Sequence, residues 1–121
     1  MHQSDMILRK FASDAVHSHT NPHGGRQLYF DAPTANRILE ECGELTAMIG
    51  LEAFEVLEDG FLPNCQWVFD ESRMDDWPPK YVEWREYVRA VNRRMGSRIS
   101  EIGQHDTEVM FSIVLFSQDE L

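Results

Sequence analysis

The stretch 38–49, ILEECGELTAMI, sets two glutamates, Glu41 and Glu44, three residues apart beside an apolar stripe. On a helix, residues at that spacing are surface neighbours turned about 60° from one another, so two carboxylates there can share one cation. Hard divalent cations such as Mg²⁺ take oxygen ligands and keep several waters, which makes the pair half of a site. The segment 105–118, HDTEVMFSIVLFSQ, offers the other half. As a helix it lines His105, Glu108 and Ser112 along one side of an otherwise apolar rod. A carboxylate in apolar surroundings is costly unless paired or metal-bound, and a cation on Glu41 and Glu44 would partner Glu108. A first-turn position, open to water and favoured by the helix dipole, explains Glu108 equally well. Glu40 points away and reads as solvated.

Other residue types offer less. Arg89, Arg93, Arg94 and Arg98 form the main basic cluster, and Arg94 and Arg98, four apart, share a helix face. By themselves they read as a solvated helix flank. Trp67 is the best candidate to stack on a base, whereas Trp84 falls on an apolar stripe and reads as core. His17, His19 and His23 sit around a glycine-rich break with no cysteine nearby, a weak metal signal. No GxSxG nucleophile motif and no GxxxxGK phosphate loop occurs.

Four helices are expected to position these groups. The first spans about 4–18, capped by Ser4 or Asp5, with Ile7, Leu8, Phe11 and Ala15 on one face; HTNPHGG ends it. RQLYFD, after it, reads as a strand or a loop. The second begins near Pro33 and Thr34 and runs to Ile49 or Gly50, with Ile38, Cys42, Leu45 and Ile49 at helical spacing. Residues 51–76 read as an irregular insertion: LEAFEVLEDG either extends that helix or forms a strand ending at an Asp59-Gly60 turn, and Trp67 to Phe69 is β-like. The third helix comes after DDWPP and carries Tyr81, Trp84, Val88, Val91, Met95, Ile99 and Ile102 as one stripe, with Gly103 placed to stop it. The final segment, 106–118, is expected to be a buried helix capped by Asp106 or Thr107. The alternation of Val109, Phe111, Ile113 and Leu115 equally fits a buried strand.

A chain of 121 residues is expected to form one domain, 1–121, with a core of ordinary hydrophobic content. No apolar run is long enough for a membrane span, and the first residues do not read as a signal peptide. Two cysteines, Cys42 and Cys65, make no disulfide framework, so a cytoplasmic setting is expected. A net charge of −10 argues against binding duplex nucleic acid, which calls for a basic surface.

LEECGEL resembles the first metal helix of the all-α nucleotide pyrophosphohydrolases, the MazG and dimeric dUTPase group, whose motif is Glu-x-x-Glu within EExGEL. HDTEVMFSIVLFS is similar in layout to their second motif, Glu-x-x-Asp opening a buried helix, with His105 and Glu108 at its acidic positions. The resemblance implies an all-α, four-helix MazG-like arrangement with the insertion at about 51–76. It implies hydrolysis of a nucleoside triphosphate, as a house-cleaning enzyme, to monophosphate and pyrophosphate in a homodimer. Mg²⁺, or Mn²⁺, would be held by Glu41, Glu44 and Glu108, with His105 as general base or as a further ligand better suited to Mn²⁺, and Arg94, Arg98 and Trp67 on the substrate. The alternative fold is α+β with a small antiparallel sheet, and the alternative function is a non-catalytic α+β or α-helical homo-oligomer that binds a small ligand or a partner protein. Its support is the long aromatic stripe YVEWREYVRAV. Charge alone suggests a third reading, an acidic antagonist or DNA mimic.

Overall fold

The computed structural model describes residues 1–20, 26–57, 60–73, 77–79, 82–105 and 108–121. Its elements run α1 (Gln3–Phe11), β1 (His17–Thr20), β2 (Arg26–Tyr29), α2 (Ala32–Cys42), β3 (Thr46–Leu57), β4 (Gly60–Asp70), α3 (Trp84–His105) and β5 (Met110–Ser117). The three longer strands form an antiparallel sheet in the order β4-β3-β5. The β1-β2 hairpin hangs from the β5 edge through a bridge between Phe30 and Phe111. The helices pack against β3 and β5, and the core lies between helices and sheet.

This is an α+β fold, not the expected four-helix all-α arrangement, and two segments account for the difference. The second helix stops at Cys42 because Gly43 adopts φ 59°, a left-handed conformation that suits glycine and ends helices. The apolar spacing of Ile38, Cys42, Leu45 and Ile49 runs across that helix–strand junction and mimics a continuing helix. The segment 46–57 is instead the central strand, buried on both sides over most of its length. The segment 106–118 is the second case: it holds strand β5, with Val109, Phe111, Ile113 and Leu115 buried. A segment buried nearly all round has no polar phase, so periodicity could not separate strand from helix. The insertion at 51–76 is largely the β3-β4 ladder, with Trp67 to Phe69 inside β4.

The long helix matches its expected stripe: Trp84, Val88, Val91, Met95, Ile99 and Ile102 are all buried. Gly103 does not stop it. A Cβ there would lie 3.3 Å from Ala32 Cβ, and one at Gly96 would lie 3.1 Å from Leu39, so both glycines let α3 run close and antiparallel to α2. The expected caps at Asp106 or Thr107, Tyr81 in the stripe, and the Asp59 turn lie outside the described residues.

Two cross-chain contacts replace expected local ones. Ser4 is buried inside α1 rather than capping it. The first N–H groups of α1 are met from the turn at Gln118–Glu120: Gln3 N donates to Asp119 Oδ2 (3.0 Å) and Ser4 N to Ser117 Oγ (3.2 Å). Asp119 is held below the usual carboxylate range, chiefly by its hydrogen bond from Ser117. On the other side, β4 pairs with β3 only as far as Gly50, leaving 46–49 without that neighbour. Asn92 of α3 takes its place, accepting from Met48 N (2.8 Å) and donating to Thr46 O (2.9 Å), while Trp84 Nε1 donates to Leu45 O (2.9 Å). No described helix is long and apolar enough to cross a membrane.

Candidate functional site

The structure separates the carboxylates expected to share a cation. Glu41 lies in the last turn of α2 and pairs with Lys10 of α1 at 2.7 Å. Glu44 lies beyond Gly43, off the helix, between Arg85 (3.8 Å) and Arg89 (3.7 Å) of α3. The two glutamates therefore do not share a helix face. Glu108 is an exposed turn residue between α3 and β5, and His105 is the last residue of α3. From Arg89, beside Glu44, to His105 is sixteen helical residues, about 24 Å along the axis. Glu41, Glu44 and Glu108 are not brought together, and among the described residues no group of three histidine, cysteine, aspartate or glutamate side chains is placed to hold a metal. Of the three histidines near the glycine-rich break, His17 and His19 lie in β1, and His23 lies outside the described residues.

The other expected site residues do come together, as a seam between β4 and α3. Trp67, Phe69 and Glu71 alternate along β4 and the turn after it. Each meets α3: Trp67 stacks on His105 (centroids 6.4 Å apart), the Arg98 guanidinium lies 4.8 Å from the centre of the Phe69 ring, and Arg94 pairs with Glu71. His105 is thus seated against an indole rather than beside a carboxylate cluster. Trp84, Trp77, Tyr87 and Phe116 form an aromatic cluster at the opposite end of α3, where Trp84 is core as expected. Burial, together with Glu71, raises the Tyr87 phenol well above its ordinary pKa.

A different surface stands out: the face of the sheet turned away from the helices. Antiparallel partners project to the same side, so register defines its rows. Asp70, Gly50 and Val114 make one row; Val68, Glu52 and Ser112 make the next. Gln27 of β2 donates to Ser112 Oγ, and Tyr29 packs edge-on against Phe54 at 5.1 Å. Burial, and then Glu52, raises the Tyr29 pKa, since both disfavour the phenolate. Val114 is 53 % exposed and Val68 39 %, although each belongs to a strand of the central sheet. At Gly50 a Cβ would stand 2.9 Å from Val114 Cβ, so only glycine admits this close crossing. A cavity of about 180 Å³ opens here, with Arg73 on its rim paired to Asp70 at 3.2 Å.

The expectations from sequence missed this face. Its one legible signal was an isolated glycine inside an apolar, β-compatible run, which marks a close backbone approach in a strand. The face offers two exposed valines, hydrogen-bonding groups and charges of both signs. These are features of a contact surface. Comparison with known proteins gives no match: no family model, curated protein or solved structure is similar to this chain.

Proposed function

We propose that this chain is a non-catalytic protein-binding module that pairs with a second copy of itself through the open face of its sheet. One observation carries the reading: among the described residues α3 meets the side of β4 that carries Trp67 and Phe69, and the opposite side of the sheet, covered in part by β2 and by Trp84 on Phe116, exposes Val68 and Val114 beside Glu52, Asp70 and Arg73. A two-fold contact presents the same patch from both sides, so the patch must complement itself. Apolar residues flanked by acids and an arginine meet that condition. Trp84 and most of the long aromatic stripe are taken up in the core and do not serve as an interface.

Sedimentation equilibrium tests this. The chain should form a dimer, and Val114→Arg should weaken it by at least about a hundredfold, because a long charged side chain replaces an apolar one that the second copy has to cover. Each copy carries −10, so raising salt should tighten the dimer by screening the repulsion between copies. A chain that stays monomeric at high concentration and high salt, or a dimer indifferent to Val114→Arg, would remove the proposal.

A further inference from the structure

The basic residues of this acidic chain are concentrated in one element. Five of its eleven lysines and arginines lie in α3: Arg85, Arg89, Arg93, Arg94 and Arg98. Arg85 and Arg89 share the single carboxylate of Glu44. Farther along, Arg93, Arg94, Ser97 and Arg98 form two adjacent rows, 93/97 and 94/98, each with the four-residue spacing that makes helical side chains neighbours. They border a depression of about 260 Å³.

Two of these arginines are held in place from below. Arg94 pairs with Glu71, whose side chain is only 13 % exposed, and Arg98 lies over the Phe69 ring. The contact of Arg98 with Glu101 is long, 3.7 Å, and exposed on both sides, so it is worth little and yields easily to a ligand. Among the described residues Arg93 has no carboxylate within ion-pairing distance, and Ser97 has no hydrogen-bond partner.

We propose that Arg93, Arg94, Ser97 and Arg98 form a binding site for a phosphate monoester. Three guanidiniums and a hydroxyl line one depression, with Glu101 at its edge, and a phosphate presents three strong acceptor oxygens with up to two negative charges. A carboxylate has only two oxygens and would leave part of this set unused. The planar fork of arginine fits that geometry better than lysine, and the cluster contains no lysine. At physiological ionic strength charges are screened beyond about 8 Å, so the three arginines, set against Glu71 and Glu101 nearby, outweigh the more distant acidic surface. All four residues lie on α3 and none belongs to the sheet, so the site does not rest on the dimer.

NMR titration of the arginine side-chain Nε–H signals tests it on the full chain. The probes are inorganic phosphate, glycerol phosphate, a neutral peptide bearing one phosphoserine, and the same peptide unphosphorylated. Saturable shifts confined to Arg93, Arg94 and Arg98 are expected, with Arg9, Arg37 and Arg73 unmoved and the unphosphorylated peptide inert. Whichever of the two esters binds tighter identifies the source as a small molecule or a protein segment. Arg93→Gln should weaken binding at least tenfold and Ser97→Ala severalfold, with circular dichroism unchanged; both side chains are exposed, so folding is spared. Affinity should fall as pH drops below the second phosphate pKa of about 6, while sulfate binding should not. Uniform, unsaturated shifts at every arginine, or an Arg93→Gln variant that binds as well as the wild type, would overturn the proposal.

Discussion

Asn92 is the side chain whose removal has the most clearly defined cost. It is half-buried on α3 and closes the stretch of β3 that β4 leaves unpaired, through Met48 N at 2.8 Å and Thr46 O at 2.9 Å. Both backbone groups belong to residues with no exposed surface. Asn92→Ala removes one acceptor and one donor at once. A buried polar group left without a partner costs about 1–3 kcal/mol, and water entering beside a half-buried position recovers part of it, so about 2–4 kcal/mol is expected. That is a large fraction of the roughly 5–15 kcal/mol typical of a domain. Urea denaturation followed by tryptophan fluorescence measures it, with the slope checked to show that the denatured state is unchanged. Asn92→Asp sharpens the test. It keeps the acceptor for Met48 N but turns a charged oxygen toward Thr46 O, a mismatch that protonation repairs. The folded state therefore raises this carboxyl's pKa, and the variant should regain stability relative to wild type as pH falls toward the carboxylate range. A loss below about 0.5 kcal/mol for Asn92→Ala, the size of an ordinary surface substitution, would refute the view that α3 side chains complete the β3 ladder.

Two further outcomes are expected. Gly50→Ala should destabilise by about 1–3 kcal/mol, since its Cβ would meet Val114 Cβ at 2.9 Å; in a Val114→Gly background the cost should fall below about 0.5 kcal/mol, and a double-mutant cycle showing no coupling would contradict the crossing. Burial, with Glu41 nearby, pushes the Cys42 thiol up to about 12. The unfolded chain loses this proton near pH 9 and the folded chain does not, so stability falls as pH rises through that window. Cys42→Ala should flatten the decline by up to about 1.4 kcal/mol per pH unit, measured by urea denaturation at successive pH values.

Local chemistry in the sequence determined a good deal. The α3 stripe from Trp84 to Ile102 is a long run of one period, and every one of its described positions is buried. The start of α2 was legible too: Asp31 accepts from Thr34 N at 2.9 Å, with Pro33 in the first turn, one step from the start read at Pro33 and Thr34. The end of α2 was also written locally, in Gly43, but four apolar residues at coincident helical spacing masked it. That error kept Glu44 on the helix; its place beyond Gly43 undoes the pairing with Glu41.

Tertiary structure decided the rest, for reasons of burial and partnership. Strand β5 is a strand because β3 lies beside it; a segment apolar on nearly every side takes whichever backbone hydrogen bonds its neighbours supply. The N-terminus of α1 is capped from residues more than a hundred positions away. Arg94, Arg98, Trp67 and His105 were recognisable as a group of interest, yet only the packing of α3 on β4 showed that they meet one another. The open sheet face, with Gly50 under Val114, was beyond reach of periodicity, because a cross-strand register is set by which strands pair and not by any one strand's own residues.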